Sequence, residues 1–543
     1  MDKLKPKLFS VLKTYSTEQL IKDIVAGIIV AIIALPLSIA LALASGVTPE
    51  KGIYTAIVAG FVISFLGGSR VQISGPTAAF ATIVAGVVAK NGLEGLVVAT
   101  VMAGVILIAM GLLRLGSLIK FIPYTITTGF TAGIAVTILV GQIKDFLGLT
   151  VVTEHPLIET MEKLEAVVHF IGTTNWSAVL VGVVCLAVLI GWPYLPGFFK
   201  KIPASLIAVL VGIGMVNGLH MPVNTIGDLY EISNNLPPFT MPNFSMDVVS
   251  AVLPDAFTIA ILAAIESLLS CVVADSMINS RHRSNMELVA QGAGNIASAL
   301  FGGIPATGAI ARTAANVKNG GRTPVAGMVH AVTLLLILVV LMPYAALIPM
   351  PTIAAILFVV AYNMSEWRHF VHLVKTAPKS DILVLMLTFA LTVIFDLVVA
   401  IAVGLVLAAL LFMKRMSDVT GVESWKDAGD DEDLKAVPEN TIVYEISGPL
   451  FFGAADEILK ISMEERHTCL VLRMRSVSTI DATALHNLEA LLAKCEARGV
   501  QVVFSHVNQQ PMSAMRKAGL VSRVGKENFC AHIDDALRLA ATK

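Results

Sequence analysis

The chain has 543 residues, of which 56% are hydrophobic and only 14% charged, with a formal net charge of −1. That balance is too apolar for a soluble globular protein. It offers no basic surplus for nucleic acid, so a nucleic-acid binder is excluded. The five cysteines, Cys185, Cys271, Cys469, Cys495 and Cys530, show no CxxC spacing and imply reduced thiols with no metal site.

Residues 1–20 alternate basic and apolar side chains and are expected to form a short helix on the cytoplasmic membrane surface, with no cleavable signal peptide. Apolar runs then follow at 22–44, 52–67, 74–89, 94–113, 122–143, 176–194, 203–219, 253–277, 286–302, 307–318, 323–342, 350–363, 381–396 and 398–413. A span needs about 20 apolar residues, so these predict about fourteen spans, some of them half-length. Threaded from a cytoplasmic N-terminus, the basic residues from Lys3 through Arg70, Lys120, Lys200, Lys201 and Arg281 to Arg415 fall inside. Only Lys51, Lys90, Lys144 and Lys163 fall outside. The bias is roughly five to one and puts both termini in the cytoplasm.

The polar loop 220–247 divides the spans into two halves, 21–219 and 248–415. The third span of each half is broken by glycine and proline: QISGPTAAF at Gln72–Phe80, and GGIPATGAIARTAANVKNGG at Gly302–Gly321. In lipid such backbone is tolerated only where it is buried in protein or lines a wet cavity. Two interrupted segments in matching places point to a carrier's substrate site. Halves with an odd number of spans must be inverted, so the half-helices at 76–89 and 307–318 enter from opposite sides. Their N-termini then meet near the midplane, each with free N–H groups and about half a positive charge, a seat for an anion.

Arg312 is the one Lys or Arg within the membrane-depth part of these spans, and an intramembrane cation is a functional candidate by default. It either helps to bind the anion or pairs with an acid such as Glu266. Glu266 lies in the middle of its span, where an ionised carboxylate is costly; beside an anion seat it is a candidate to carry a coupled proton. Ser267 and Ser270 offer hydroxyls to an ion, or bond their own helix backbone. Thr77, with the N–H groups of Ala78, Ala79 and Phe80, is expected to face the substrate. Ala306, Thr307 and Gly308 play the matching part in the second half, unless their small size serves only close helix packing. No nucleophile–base pair or metal cluster marks an enzyme.

After Arg415 the acidic run Asp427–Asp433 reads as part of a linker, 416–436. Strand-like stretches at Thr441–Ser447, Thr468–Met474 and Gly499–Ser505 then alternate with helical patterns at 453–464, 482–497, 509–518 and 533–541. They predict a small α/β domain over 437–543.

Five marks together resemble the SulP family of anion transporters. They are Leu35-Pro36 followed by YTAI at 54–57, FLGGSRVQISGPTA at 65–78, AAIESLLS at 263–270, ELVAQGAGNIASALFGGIPATGAIARTA at 287–314, and the C-terminal domain, which resembles a STAS domain. The longest mark especially resembles bacterial members. The resemblance implies an α-helical polytopic membrane protein with a seven-plus-seven inverted repeat of the uracil-transporter kind, plus the STAS domain. It implies a core domain moving against a gate domain, a homodimer, and a place in a bacterial inner membrane among its lipids. It puts the substrate on Thr77 to Phe80, Ala306 to Gly308, Arg312, and Leu37 and Leu41 of the first span, with Glu266, Ser267 and Ser270 serving the coupling ion. Many relatives carry Gln where this chain has Leu37. Among soluble STAS proteins a phosphorylated serine follows an aspartate, whereas Asp481 is followed here by Ala482.

The expected function is secondary active transport of a small anion, sulfate by default, coupled to H⁺ or Na⁺ and needing no cofactor. Bicarbonate and C4-dicarboxylates are the alternatives within the fold. An anion channel, or an anion sensor signalling to a cytoplasmic partner through the STAS domain, are the alternatives outside it.

Overall fold

A computed structural model describes residues 4–117, 122–152, 157, 159–196, 202–233, 235–395, 397–425 and 437–542. The acidic run Asp427–Asp433 lies outside the described residues, as do Lys3, Lys120, Lys200 and Lys201. Two compact units make up the chain, Met1–Leu405 and Val406–Lys543.

The first unit begins with α1 (Leu8–Val11), α2 (Thr17–Ala44) and α3 (Pro49–Leu66), then a two-residue strand, β1 (Ser74–Gly75). The helices α4 (Ala78–Leu112), α5 (Tyr124–Leu147), α6 (Thr160–Phe170), α7 (Trp176–Gly191), α8 (Ala204–Gly218) and α9 (Ile226–Leu229) complete the first half. The second half holds α10 (Met246–Ile278), α11 (Ser284–Leu300), β2 (Thr307–Gly308), α12 (Ile310–Lys318), α13 (Pro324–Ala345), α14 (Met350–Ser365), α15 (Trp367–Thr376), α16 (Lys379–Ile394) and α17 (Leu397–Val419). Helices occupy every apolar run read from the sequence. Eight of those described are long and apolar enough to cross a membrane by length and composition.

Three local features differ from the sequence expectation. The N-terminal surface helix is reduced to α1 and the 3₁₀ turn Leu12–Thr14 that follows it, because Ser16 caps a new helix by accepting from Gln19 N–H at 3.2 Å. Two expected spans appear as the one element α4, interrupted at Gly92, whose φ of 68° and ψ of −176° glycine adopts without a Cβ clash. And α15 was not expected: it is ten residues long and has no fully buried side chain, so its pattern is too short and too polar to read as a span.

Within this unit α4 packs on α10 and α11, while α13 packs on α2 and α3. A second group, α5 with α7, α14 and α16, packs together. The decisive element is the smallest. β1 pairs antiparallel with β2, Ser74 opposite Gly308 and Gly75 opposite Thr307. The chain leaves these paired strands in opposite directions and enters α4 and α12 directly, which is the geometry an inverted repeat requires.

The second unit holds β3 (Gly421–Ser424), β4 (Thr441–Ser447), β5 (Cys469–Ser476), α18 (Ala482–Ala497), β6 (Gln501–Ser505), α19 (Gln509–Lys517), α20 (Leu520–Val524), β7 (Phe529–Cys530) and α21 (Ile533–Ala541). The strands form one sheet in the order β3-β4-β5-β6-β7, parallel except for β3. Alternation along the strands feeds two cores. Ile442, Tyr444 and Ile446 join Leu488 and Leu491 of α18 on one face. Val443 joins Ile533 and Leu537 of α21 on the other. The stretch expected to be a helix at 453–464 is a 3₁₀ helix, Ala455–Lys460. Its buried residues Ala455, Ile458 and Ile461 recur every three positions, the 3₁₀ repeat.

Asp481, where soluble STAS domains place a phosphoserine next door, has a structural task here. Its Oδ1 accepts from Ala484 N–H at 2.9 Å and its Oδ2 from Phe452 N–H at 2.8 Å, so it caps α18 and ties down the loop that follows β4. Asp481→Ala should destabilise this unit by about 1 kcal/mol, the usual worth of an N-cap. Thermal unfolding of the full chain, followed at Trp425, checks it; an unmoved midpoint would remove that role.

Candidate anion-binding site

Polar side chains from α11 set up the two interrupted segments. Glu287, Gln291 and Asn295 stand four residues apart, on one face of the helix. All three are fully buried. Glu287 Oε2 accepts from Gly68 N–H at 2.9 Å and Ser69 N–H at 3.1 Å. Its Oε1 accepts from Gln72 Nε2 at 2.8 Å and Gln291 Nε2 at 2.9 Å. Asn295 brackets Ala306, accepting from its N–H at 2.8 Å and donating to its carbonyl at 2.9 Å. Thr55 of α3 accepts from Ile304 N–H at 2.7 Å. The backbone that lipid cannot satisfy is thus satisfied by side chains, from several segments away.

Hydroxyls from α10 and α12 complete the scaffold. Ser267 Oγ accepts from Gly308 N–H at 3.1 Å and lies 2.7 Å from Thr307 Oγ1. Thr307 in turn donates to the Ala263 carbonyl at 3.3 Å, so Ser267 is the donor in that pair. Thr313 Oγ1 accepts from Ile73 N–H at 3.0 Å and from Ser270 Oγ at 3.5 Å. Neither serine therefore bonds its own helix backbone.

The residues named from the sequence separate into two groups on this scaffold. Ala306, Thr307 and Gly308 are wholly buried, with Ala306 and Gly308 N–H groups already committed to protein acceptors. Ala79 and Phe80 are also buried, and Ala78 is nearly so at 8% exposure. Thr77 and Glu266, by contrast, are half-buried, and the Thr77 hydroxyl donates to Glu266 Oε2 at 2.9 Å. The two meet at the start of α4, where Phe80 N–H bonds the Thr77 carbonyl at 3.2 Å and the N–H groups of Ala78 and Ala79 have no intrahelical acceptor. At the start of α12, Ile310 and Ala311 remain exposed. Leu37 is half-buried and Leu41 buried, both in α2, which packs against α12.

Arg312 sits between the paired strands and the helices. It is 3% exposed, and its Nη2 donates to the Pro76 carbonyl at 3.2 Å. Its Nη1 has no hydrogen-bond partner among the described residues. No ion pair involves it there either, so the pairing with Glu266 that the sequence allowed is not formed. Gly75 makes the room: a Cβ at that position would lie 2.6 Å from Arg312 Nη1. An uncompensated cation thus stands beside two helix N-termini, and all three favour negative charge.

Thr77→Val should sever the bond to Glu266 while keeping the shape. A hydrogen bond to a charged group is worth about 1.5–3 kcal/mol, so a severalfold or larger loss of transport is expected. Initial-rate uptake in proteoliposomes measures it, and a wild-type rate would dismiss the contact as incidental.

Sequence reading missed Gln72, Glu287, Gln291, Asn295 and Thr313. The signal was present for the three on α11, polar side chains at a four-residue spacing inside an apolar run.

Fold and site together define a class: a polytopic helical membrane protein of the carrier kind, built on two interrupted helices and followed by an α/β unit. Comparison with known proteins narrows it. Residues 20–388 match the sulfate permease family, and residues 434–536 match the STAS domain. The chain is 41% identical to the putative sulfate transporter YvdB of Bacillus subtilis, covering 96% of this chain and 98% of that one. It is 31% identical to the bicarbonate transporter BicA of Picosynechococcus, covering 95% and 94%. Among solved structures, that of the murine Solute Carrier 26 family member A9 anion transporter in the inward-facing state covers 99% of this chain and 94% of its own, at TM-score 0.90 and 19% identity, a likeness of fold. The transmembrane domain of a cyanobacterial BicA matches at TM-score 0.62 and 29% identity, covering 73% of this chain and 98% of its own. The chain belongs to the sulfate permease family, a family of membrane transporters and not of enzymes.

Proposed function

We propose that the protein is a cation-coupled secondary transporter of a small inorganic anion, sulfate first. The observation that carries this reading is the antiparallel pairing of Ser74–Gly75 with Thr307–Gly308, which brings two helix N-termini and one unpaired arginine to a single place. The anion sits against the first turns of α4 and α12, under the field of Arg312. Glu266, held to the seat by Thr77, takes up the coupled ion. A proton on Glu266 is the first reading and Na⁺ the second: Ser267 and Ser270 donate their hydroxyl protons to the neighbouring scaffold, which leaves oxygen lone pairs for a cation. The second group of helices, α5 with α7, α14 and α16, moves against the seat to alternate access. The protein works as a homodimer in a bacterial inner membrane, with both termini in the cytoplasm and the STAS domain open to a partner there.

Bicarbonate is the second reading, favoured by the match to BicA over nearly the whole chain. Labelled sulfate, bicarbonate and a C4-dicarboxylate, offered to proteoliposomes under separate H⁺ and Na⁺ gradients, decide among these. Uphill sulfate accumulation driven by pH supports the first reading. Flux that only ever runs downhill marks a channel, and binding without flux marks a sensor.

A further inference from the structure

The following rests on the anion-seat reading above. His330 in α13 is fully buried, and neither ring nitrogen has a hydrogen-bond partner among the described residues. A neutral imidazole carries one donor and one acceptor, and burying both unmet is costly. Among the other buried groups in the same condition are Arg312 Nη1 and the Ser64 hydroxyl.

Packing register relates their positions. A Cβ placed on Gly327 would meet Ser64 Oγ at 2.2 Å and the Gln72 carbonyl oxygen at 3.5 Å. Ser64 is near the end of α3 and Gly327 near the start of α13, so these packed helices run antiparallel. One turn back along α3, a Cβ on Gly60 would lie 3.2 Å from the Ser74 carbonyl oxygen. A further turn back is Ala56, whose Cα lies 3.5 Å from the point where a Gly75 Cβ would stand, itself 2.6 Å from Arg312 Nη1. His330 is three residues beyond Gly327 and shares its face, with its Cβ tilted back toward Ser64. It therefore stands level with Gly60 and Ser74, one residue along β1 from Gly75, where the free end of Arg312 lies.

We infer that His330 is a positioning residue for anion recognition: its imidazole lone pair accepts from Arg312 Nη1 through one bound water. A guanidinium has no acceptor of its own, so the lone pair is what completes the bond. The bond fixes the guanidinium at both ends, Nη2 on the Pro76 carbonyl and Nη1 on the α13 side, and so sets its orientation toward the seat.

A double-mutant cycle on the purified full chain tests this, with labelled sulfate as probe, or labelled bicarbonate if that is the anion accumulated. His330→Phe should weaken binding about fivefold, the scale of one hydrogen bond. His330→Gln, which restores an acceptor, should recover most of that loss. In the Arg312→Ala background His330→Phe should do nothing more, because its one target is gone. Wild-type binding by His330→Phe, or losses that add in the double variant, would overturn the inference while leaving the anion seat standing. An Arg312→Ala protein that binds normally would overturn the seat and this inference with it, as would a wild type that binds neither probe. His330→Leu repeats the measurement should phenylalanine not fit. If both apolar variants fail to fold while His330→Gln folds, His330 is structural and the inference falls.

Discussion

Arg312→Ala is expected to weaken anion binding roughly ten- to hundredfold, which corresponds to about 1.5–3 kcal/mol of lost charge-assisted contact. The protein should still fold and insert. Arg312 makes one hydrogen bond, to the Pro76 carbonyl, and no ion pair among the described residues. Deleting it therefore leaves no buried carboxylate stranded, which is the usual reason such a change unfolds a protein. Binding titrations on a monodisperse variant are the check, and unchanged affinity would end the proposed role.

Glu266→Gln is expected to abolish accumulation driven by a pH gradient while leaving anion-for-anion exchange in place. Glutamine keeps the shape and an acceptor for the Thr77 hydroxyl, but it cannot release or take up a proton. Anion affinity should hold or rise, since a nearby negative charge has gone. Arg312 is not its partner, so the substitution strands no cation and the variant should insert normally. Counterflow and pH-jump uptake in the same liposomes separate the two activities. Full accumulation by the variant under a pH gradient without Na⁺ would rule out proton carriage. A defect that follows Na⁺ instead would assign Glu266 to that ion.

The parts of this fold that the sequence made legible are those a bilayer enforces. Long apolar runs have one stable form in lipid, so α2, α10 and α13 could be placed, α13 to within three residues, while the polar first turns of α2 and α10 began five and seven residues before the expected spans. Gly302–Gly321 stood out because lipid forbids unpaired backbone unless protein surrounds it. What stayed hidden is what that surrounding protein does. The partners of Glu287 come from Gly68, Ser69 and Gln72, in the other half of the chain, and no local pattern announces a contact across such a separation. Ala306, Thr307 and Gly308 read as substrate contacts from their place at the start of the second half-helix; what that place hid is that they are wholly buried, with the Ala306 and Gly308 N–H groups bonded within the protein. Glu266 and Thr77 were each readable as candidates, but their bond to one another was not. His330, a lone histidine in an apolar run, gave no sequence signal at all.

The two-residue ladder between β1 and β2 has a mechanical consequence. It works as a rivet through the middle of the molecule. Parting the two halves of the chain there would break backbone hydrogen bonds where no solvent can replace them. In the transport cycle proposed above the seat therefore moves as one solid piece, with Arg312 and both helix tips keeping their spacing. An ion held there is not released by prising its binding groups apart. It leaves when the wall on one side withdraws, so the seat's own affinity need not change between its two openings, and the direction of flow is left to the gradients.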